Sequence, residues 1–345
     1  MGQMMDFFEE RFDLSPVRNW IRHKSVPQHK HSFWYYFGGL ALFLLSVQII
    51  TGILLAFYYS PSPANANESV RYIMEHVQYG WLIRSIHFWG ANFLIAVVLV
   101  HMFSAFFMKA YRKPRELMWI LGVIILGLVL TFSFTGYLLP WTTLSYFATK
   151  VGVNTPMVMP VFGNFISKIM QGGEDVGAAT LTRMFTLHTV ILPLVTLALV
   201  SLHVLLSQVF GSSVPLSVKH VDGETRFFPG FLLRDAAVWS GTFAVLVAFA
   251  TIIPANLDGK VNPIMPAPAG IKPEWYFLFI FQTLKTIPEM AAVGVITIGG
   301  IVWLMIPFLD KKPSEGKPFF TLLGIGVIAY TLAMTVIAYI TTAQN

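Results

Sequence analysis

Residues 81–108 read WLIRSIHFWGANFLIAVVLVHMFSAFFM, and residues 183–209 read RMFTLHTVILPLVTLALVSLHVLLSQV. Both stretches are apolar and longer than the roughly 20 helical residues that cross a bilayer core. Each stretch also carries two histidines, although ionisable side chains are rare and costly inside membrane spans. The length of these stretches predicts a membrane-spanning helical fold, and their histidines indicate a function within the membrane.

The composition of the whole chain agrees with this class. Hydrophobic residues make up 55% of the 345 residues and charged residues 12%, whereas a soluble globular protein carries about 25% charged residues. This deficit excludes a soluble enzyme, a disordered protein and a nucleic-acid-binding protein, despite the net charge of +6. The chain has no cysteine, so it cannot itself form a disulfide framework, hold an iron–sulfur cluster or attach haem by a thioether bond.

Five further windows are long and apolar enough to cross a membrane. The seven predicted spans are residues 33–59, 81–108, 116–138, 183–209, 235–253, 290–309 and 319–341. They predict an all-α integral membrane protein in which a four-helix block precedes a three-helix block. No internal repeat is visible.

The predicted spans and the polar stretches between them divide the chain into four parts. Residues 33–210 form the four-helix domain, residues 211–234 a polar linker, and residues 235–345 the three-helix domain. Residues 1–32 are charged and lack the apolar core of a signal peptide. Their amphipathic start predicts a segment that lies on the membrane surface, with its apolar residues at Met4, Phe7, Phe8 and Phe12.

The distribution of lysine and arginine predicts the orientation of the spans. The N-terminal segment and the loops 109–115 and 310–318 are basic, whereas loop 60–80 contains Arg71 alone. Basic loops remain in the cytoplasm, so we expect the N-terminus in the cytoplasm and the C-terminus outside. Much of the positive charge therefore orients the chain rather than binding an anionic partner.

The four histidines in the second and fourth spans are spaced to form pairs. His87 and His101 are 14 residues apart, and His188 and His203 are 15 apart, which correspond to about 21 and 22 Å along a helix. Each helix keeps its two histidines on broadly one face. Because both spans run from outside to inside, His87 and His188 share an outer depth, and the other two share an inner depth.

Two imidazoles from facing helices are suited to be the axial ligands of a six-coordinate haem. Interhelical hydrogen bonding and a proton relay are alternatives, but a relay does not explain the matched depths. Glycines repeat the 14-residue spacing in the first and third spans, at Gly38, Gly52, Gly122 and Gly136. Glycine allows a flat ring to approach closely, although it is also common in membrane helices. Together the two patterns favour two porphyrins at two depths.

Arginines lie near the outer histidines. Arg84 precedes His87 by three residues, and Arg183 precedes His188 by five. A guanidinium binds carboxylates in a bidentate manner, so both are candidates for pairing with haem propionates. The alternative is that each arginine extends to the membrane surface without a ligand.

Two further motifs complete a resemblance to a known family. Residues 273–276 spell PEWY, and residues 136–141 spell GYLLPW. With the histidine and glycine pairs, the chain resembles cytochrome b of the quinol-oxidising cytochrome bc and bf complexes over residues 25–340. The 15-residue histidine step, KPREL at 113–117 with Trp119, and the seven spans resemble the bf type. The haem subunit and the small companion subunit (subunit IV) of that type are here fused in one chain.

The resemblance implies two non-covalent b-type haems with iron. His87 and His188 would ligate the low-potential haem on the outer side, and His101 and His203 the high-potential haem on the inner side. The bf type attaches an extra haem through a cysteine, but Tyr36 stands at that position here. We therefore expect no covalent c-type haem on this chain, while a non-covalent third haem stays possible.

The resemblance also implies two quinone sites. Glu274 would take a proton from quinol at the outer site, where Tyr276 and the segment Pro140–Tyr146 shape the pocket. A carboxylate in hydrogen-bonding reach of a phenolic hydroxyl is a suitable general base. Asp235, in the LLRD stretch at 232–235, resembles an acidic residue near the inner quinone site of the bc type.

Four further positions depart from the family pattern. Ser104 replaces an arginine of the bf type, and Gln208 stands where the bf type has arginine and the bc type histidine. Both changes fall at the inner site. At the outer site, Thr142 and Thr143 follow GYLLPW in place of more usual residues.

The implied activity is that of a quinol:cytochrome c oxidoreductase, or one with a plastocyanin-like acceptor, that works by a proton-motive Q cycle. The expected partners are a Rieske iron–sulfur protein, a c-type cytochrome, membrane lipids and quinone, in a homodimeric complex with no nucleic acid. A fused chain without a transit peptide indicates a prokaryotic cytoplasmic membrane. Two alternatives stay open: a dihaem anchor that links a dehydrogenase to the quinone pool, and a seven-helix transporter without haem.

Overall fold

The computed structural model describes residues 7, 9–13, 15–16, 19, 23–311 and 318–341. The amphipathic segment predicted at the N-terminus depends on Met4 and Phe8, which lie outside the described residues. Phe7 and Phe12 are described, and both are exposed. Lys312 and Lys317 of the last basic loop also lie outside the described part of the chain.

In the described part of the chain, seven helices are long and apolar enough to span a membrane, as predicted from the sequence. They are Ser32–Ala56, Gly80–Phe107, Glu116–Leu138, Ala178–Phe210, Phe227–Ile252, Glu289–Leu309 and Phe319–Thr341. These helices are hydrophobic on all sides, so side chains such as Ile53, Leu194 and Ile298 are exposed on their outer faces. A helix with this pattern is typical of a membrane span, and the fold class is confirmed.

The first four spans form a bundle around a shared core. The first span packs along the second, and the third packs against the fourth. Leu44, Ile95 and Val129 are buried where these helices meet. The core holds the two histidine-bearing spans at fixed positions relative to their glycine-bearing neighbours.

The three C-terminal spans pack around this bundle at different places. The fifth span packs on the first and second spans, where Leu246 and Ala250 join the central core. The sixth span packs on the third, and the seventh packs on the second and on the short helix Leu278–Thr286. The last three helices therefore extend the four-helix core on several sides.

The fifth span begins earlier than residue 235, where the sequence predicted it. A π-helical turn at Phe227–Phe231 leads into the α-helix Leu232–Ile252. The preceding strand β2, Gly223–Arg226, pairs antiparallel with strand β1, Ser25–Gln28. This small sheet could not be predicted, because four-residue strands are too short for a clear alternating pattern.

Short helices lie in the segments at the outer end of the bundle, which we define as the end that carries residues 57–79, 139–177 and 253–288. They are Ala66–His76, Thr143–Asn154, Gly163–Gln171 and Leu278–Thr286. Thr142 begins one of them: its side chain accepts from the Ser145 N–H at 3.2 Å, and the Ser145 hydroxyl accepts from the Thr142 N–H at 3.0 Å. This capping box gives Thr142 a structural role.

Candidate functional site

The structure brings the four membrane histidines together as two pairs. The ring centres of His87 and His188 are 6.2 Å apart, and the ring planes are inclined by 73°. The centres of His101 and His203 are 6.5 Å apart, and the planes are inclined by 82°. We name them the outer pair and the inner pair, in keeping with the orientation predicted from charge.

These separations suit one metal ion between two imidazoles. Two metal–nitrogen bonds of about 2 Å, with a ring radius of about 1 Å at either end, add up to about 6 Å. Among the described residues, no three or more His, Cys, Asp or Glu side chains group together as a metal site. A bare ion would thus find two protein ligands at either pair, whereas a haem brings four nitrogens of its own. The residues present therefore fit a haem better than a bare metal ion.

Each of the four spaced glycines faces one histidine. A side chain on Gly52 would begin 3.2 Å from His87, and one on Gly38 would begin 3.2 Å from His101. In the other helix pair, Gly136 faces His188 at 2.6 Å. Gly122 faces His203 in the same manner, at 3.4 Å. The glycines thus leave room for the imidazoles themselves, a more specific role than the close approach of a porphyrin.

Hydrogen bonds determine which nitrogen of each outer histidine is free. His188 Nδ1 lies 3.0 Å from the carbonyl oxygen of Phe132, which can accept but not donate. Nδ1 therefore carries the proton and Nε2 presents its lone pair. In the pair formed by the first and second spans, His87 Nδ1 lies 2.9 Å from the hydroxyl of Thr51. This hydroxyl takes the place that the Phe132 carbonyl has beside His188. Both outer imidazoles are thus prepared to bind metal through Nε2.

The inner histidines have different surroundings. The Nδ1 atoms of His101 and His203 are buried and make no hydrogen bond to a described residue. The carbonyl of Met118 is near His203, in the position that corresponds to Phe132, but it does not reach hydrogen-bonding geometry. The two pairs therefore share their framework and differ in their hydrogen bonds.

A local change of helix type accounts for the unequal histidine spacing. His188 lies in a π-helical turn at Leu187–Ile191. Such a turn adds one residue to an α-helix and is frequent at functional sites. The 15 residues from His188 to His203 thus advance the helix about as far as the 14 from His87 to His101. Both pairs can then meet at matched depth.

The two candidate arginines point to different neighbours. Arg84 is half-buried and donates to the carbonyls of Ala255 and Asn256, the second at 2.8 Å. Arg183 is exposed, donates to the carbonyl of Ile169, and lines an open cavity of about 500 Å³ with Lys168. Arg84 therefore lies between the second span and the loop that follows the fifth, whereas Arg183 holds the end of the short helix Gly163–Gln171.

The PEWY segment folds against the third span. Glu274 is half-buried and precedes the helical turn Trp275–Phe277, and burial raises the pKa of its carboxyl. Tyr276 is buried in the central core, and burial raises the pKa of its phenol, while Ser133 hydrogen-bonds to it and opposes that shift. Tyr137, next to Gly136, is near enough to Glu274 and Tyr276 to interact with both electrostatically.

The GYLLPW segment is held in place from both sides. The amide of Asn67, a fully buried residue, donates to the carbonyl of Pro140 at 3.0 Å and to that of Asp258 at 3.2 Å. Tyr146 donates from its hydroxyl to the carbonyl of Val176 at 3.0 Å and is buried. Asn67 therefore links the backbone of Pro140 to the loop 253–288, which also contains PEWY. Tyr146 is part of a buried cluster with Leu138 and Trp141 of the GYLLPW segment.

Asp235 lies at the inner end. It is 6% exposed, and its Oδ1 atom makes no hydrogen bond to a described residue. Its carboxyl group faces Gly39, where any side chain would collide with it. Gln208 has a buried Oε1 atom without a described partner, and Ser104 donates to the carbonyl of His101 at 2.8 Å. Unsatisfied buried polar atoms are rare in native proteins and call for a ligand or water.

Comparison with known proteins decides the family. Residues 21–211 match the family model described as cytochrome b/b6/petB, and residues 260–345 match the model described as cytochrome b(C-terminal)/b6/petD. The chain belongs to the cytochrome b family. Members of this family are haem-binding membrane proteins that transport electrons, and the paired histidines of this chain fit a haem. Both family regions occur in this one cytochrome b, as the fused bf-like arrangement predicted.

Individual relatives agree over most of the chain. A cytochrome bc complex cytochrome b subunit of Chlorobaculum thiosulfatiphilum is 48% identical over 96% of this chain and 80% of that protein. A cytochrome b6 of Gracilaria tenuistipitata var. liui is 41% identical over 63% of this chain and its own full length. A chain of a solved structure titled "Hyperthermophilic respiratory Complex III" superposes with a TM-score of 0.86 at 32% identity, over 97% of this cytochrome b and 91% of that chain.

Two features near the outer pair did not emerge from the sequence reasoning. Thr51 and Thr135 place their hydroxyls beside His87 and His188, at 2.9 and 3.2 Å from Nδ1. The signal was present, because the dipeptide Thr-Gly occurs at both outer glycines of the set. The π-helical turn at Leu187–Ile191 had a weaker signal in the sequence. That signal is the one extra residue between His188 and His203 compared with His87 and His101.

Proposed function

We propose that this cytochrome b holds two non-covalent b-type haems, one at each histidine pair. The observation that carries this proposal is the separation of the ring centres, 6.2 and 6.5 Å, at two depths in one bundle. Haem bound there supplies one-electron transfer between the two faces of the membrane. The protein's own contribution is to present Nε2 of His87 and His188 and to keep glycine opposite every ligand.

We further propose that the outer end oxidises quinol. Oxidation of one quinol to quinone releases two electrons and two protons. Glu274 accepts a proton from a quinol hydroxyl as a general base, and its burial, which raises the pKa of the carboxyl, helps it to hold that proton. Tyr276 and Pro140 form the wall beside it. The proton then leaves Glu274 toward the outside.

At the inner end, quinone reduction takes up two electrons and two protons. Asp235 supports an inner quinone site because its buried carboxyl has an unpartnered oxygen and faces Gly39. The carboxyl, when protonated, can donate a hydrogen bond to a quinone carbonyl. For each quinol oxidised outside, one electron goes to the external acceptor and the other crosses the membrane. Two quinols oxidised outside therefore supply the two electrons that reduce one quinone inside, and the two reactions together form a proton-motive Q cycle.

The proposed reaction requires partner subunits. The chain has no cysteine and holds no iron–sulfur cluster through cysteine ligands, so we infer a Rieske iron–sulfur protein as the first acceptor. A c-type cytochrome, or a plastocyanin-like protein, follows it. The names of the relatives, a cytochrome bc complex subunit and a Complex III chain, support a multisubunit assembly. We propose a homodimer with the N-terminus in the cytoplasm, in a prokaryotic cytoplasmic membrane.

Two measurements on the purified complex test this function. Quantitative haem extraction with a reduced-minus-oxidised spectrum should give two extractable b-type haems per chain, and none should stay covalently attached. Quinol added under anaerobic conditions should then reduce both. A chain that folds without haem would contradict the proposal, and a third extractable haem would correct the count.

The alternative function is a dihaem anchor that passes electrons from a dehydrogenase to the quinone pool. It requires the four histidines but assigns no role to the half-buried Glu274. The variant E274Q separates the two. Loss of quinol:cytochrome c turnover in E274Q with both haems retained supports the Q cycle. An unmodified complex that reduces quinone from a dehydrogenase, has no quinol:cytochrome c turnover and is unaffected by E274Q favours the anchor.

A further inference from the structure

The residues that precede the four spaced glycines differ between the two ends of the bundle. Thr51 precedes Gly52 and Thr135 precedes Gly136, so both outer glycines belong to a Thr-Gly dipeptide. Phe37 and Leu121 precede the inner glycines. At the outer end, the side chain that precedes each glycine contacts the histidine that the glycine faces, Thr51 with His87 and Thr135 with His188.

Both threonine hydroxyls are oriented by the backbone of their own helix. Thr51 donates to the carbonyl of Val47 at 2.7 Å, and Thr135 donates to the carbonyl of Thr131 at 2.9 Å. A hydroxyl has one proton, so the oxygen of Thr51 is left to accept from Nδ1–H of His87. The oxygen of Thr135 accepts from Nδ1–H of His188 at 3.2 Å and shares that proton with the carbonyl of Phe132 at 3.0 Å. Thr51 is 8% exposed and Thr135 1%, which keeps water from competing for these bonds.

The inner pair has no such acceptor among the described residues. The Nδ1 atoms of His101 and His203 are buried and without a hydrogen-bond partner there, and the side chains of Phe37 and Leu121 can accept nothing. The arrangement of the histidines and glycines is otherwise the same. The hydroxyls are therefore a chemical difference between two sites of similar geometry.

A hydrogen bond from Nδ1–H makes an imidazole a stronger electron donor through its other nitrogen. A stronger donor favours the more positive, oxidised state of a bound iron. Second-shell hydrogen bonding is one of the means by which a protein sets the reduction potential of haem. The outer site is consequently the one at which this chain stabilises oxidised iron.

We propose that Thr51 and Thr135 are positioning residues that lower the reduction potential of the outer centre relative to the inner one. They act through His87 and His188 and do not touch a substrate. The proposal rests on the proposed function, because it requires haem at both pairs. With the lower reduction potential at the outer pair, electron transfer from the outer pair to the inner pair is favourable. The two Thr-Gly dipeptides contribute to this difference in potential.

The test is a redox titration, followed optically and by electron paramagnetic resonance, of the purified complex with its haems bound. The variants T51V and T135V remove one hydroxyl each at nearly constant size. We expect T51V to raise the potential of the outer centre, and T135V to raise it less, because the carbonyl of Phe132 still accepts from His188. The double variant should favour the reduced form about tenfold at a given ambient potential, a shift of about 59 mV. The inner centre should not move.

Three further variants separate this role from a packing role. T51S and T135S keep a hydroxyl and should restore the original outer potential. T131V is the matched control, because Thr131 lies one turn from Thr135 and its hydroxyl binds only the carbonyl of Gly127, at 2.8 Å.

The outcomes are distinguishable. An unchanged outer potential in the double variant, with two haems bound, would overturn the inference and leave the proposed function intact. A serine variant that fails to restore the potential would equally overturn it, because packing would then be the cause. Absence of haem from the unmodified protein would instead overturn the proposed function.

Discussion

The outer and inner ends of the bundle are built on one plan and differ in their polar groups. At both ends, two histidines from the second and fourth spans meet with ring centres 6.2 or 6.5 Å apart, each against a glycine. At the outer end, hydroxyls of Thr51 and Thr135 bind the histidines, and Glu274 lies nearby. At the inner end, neither the histidines nor the Oδ1 atom of Asp235 has a hydrogen-bond partner among the described residues.

This difference teaches that placing a cofactor and tuning it are separate tasks in this fold. In the proposed function, histidine and glycine at helical spacing place the haem, with similar geometry at both depths. Hydroxyl and carboxyl groups near the histidine pairs distinguish the two ends chemically. They are the hydroxyls of Thr51 and Thr135 and the carboxyl of Glu274 at the outer end, and the carboxyl of Asp235 at the inner end. Substitutions in the first set should therefore abolish a site, whereas substitutions in the second set should change its properties.

The largest expected effect is the loss of one haem. In the proposed function, the variant H188A would remove one of the two haem ligands at the outer pair, and H101A one of the two at the inner pair, so each should bind one haem per chain instead of two. Haem extraction and the reduced-minus-oxidised spectrum measure this, and the two variants should lose different spectral components. The control H76A changes an exposed histidine that stacks on Tyr72, and it should retain both. Loss of both haems in each single variant would show that the pairs are not independent sites.

The next largest effect concerns the outer end alone. E274Q removes a base whose contribution we place at about 100-fold, at the low end for general acid–base catalysis. Both haems should stay bound, and the rate of quinol oxidation should fall. The control E289Q changes an exposed glutamate at the start of the sixth span, and it should oxidise quinol at the normal rate.

The pH dependence of the unmodified protein sharpens this prediction. A base works in its deprotonated form, so the rate should rise as the pH increases through the pKa of Glu274. Burial raises that pKa, so this rise should come at higher pH than it would for an exposed glutamate. A steady-state pH profile should show the rise in the unmodified protein and lose it in E274Q. Survival of the same acid limb in E274Q would assign the base to another group.

Much of this comparison between the two ends could be predicted from the sequence. The seven spans follow from apolar runs about as long as the bilayer is thick, and the pairing of His87 with His188 follows from spacing and direction. The role of each glycine could not be predicted from the sequence. A spacing of 14 residues indicates the helix face on which a glycine lies, but it does not identify the side chain of the neighbouring helix that the glycine contacts. The contact of Gly136 with His188 depends on how the third and fourth spans pack.

The start of the fifth span and the contact of Thr51 with His87 are harder to predict from the sequence. The start of the fifth span at Phe227 instead of residue 235 was missed because Pro229 and Gly230 usually interrupt helices. Thr51 was passed over because threonine in a membrane helix ordinarily bonds its own backbone, which its hydroxyl also does here. Its second bond, to His87, is a tertiary contact.

The third prediction tests the glycines at the two depths. In G136A the new methyl group would begin 2.6 Å from His188, whereas in G122A it would begin 3.4 Å from His203. The first distance requires the histidine to shift, at a typical overpacking cost of 1–3 kcal/mol, and the second is ordinary contact. G136A should therefore weaken outer haem binding and lower the melting temperature, while G122A should do neither.

The matched control for both is G127A in the same span, where nothing lies within 4 Å of the added methyl. It should stabilise the helix slightly, since alanine is favoured over glycine by about 1 kcal/mol. Thermal unfolding and haem content measure all three variants. Equal haem retention in G136A and G127A would show that His188 can move without loss of its ligand.

The smallest effect comes from transferring the outer chemistry to the inner end. Leu121 is 6% exposed and precedes Gly122, which faces His203, as Thr135 precedes Gly136. In L121T a hydroxyl can donate to the carbonyl four residues earlier and accept from Nδ1–H of His203, as Thr135 does for His188. The potential of the inner centre should then fall by less than the 59 mV of a tenfold change, because one hydroxyl is added and not two. L121V has nearly the same size without the hydroxyl, and both variants lose similar packing, so only L121T should shift the potential in a redox titration. An equal shift in L121V would attribute the effect to the cavity and would remove the hydroxyl as the cause of the difference between the two ends.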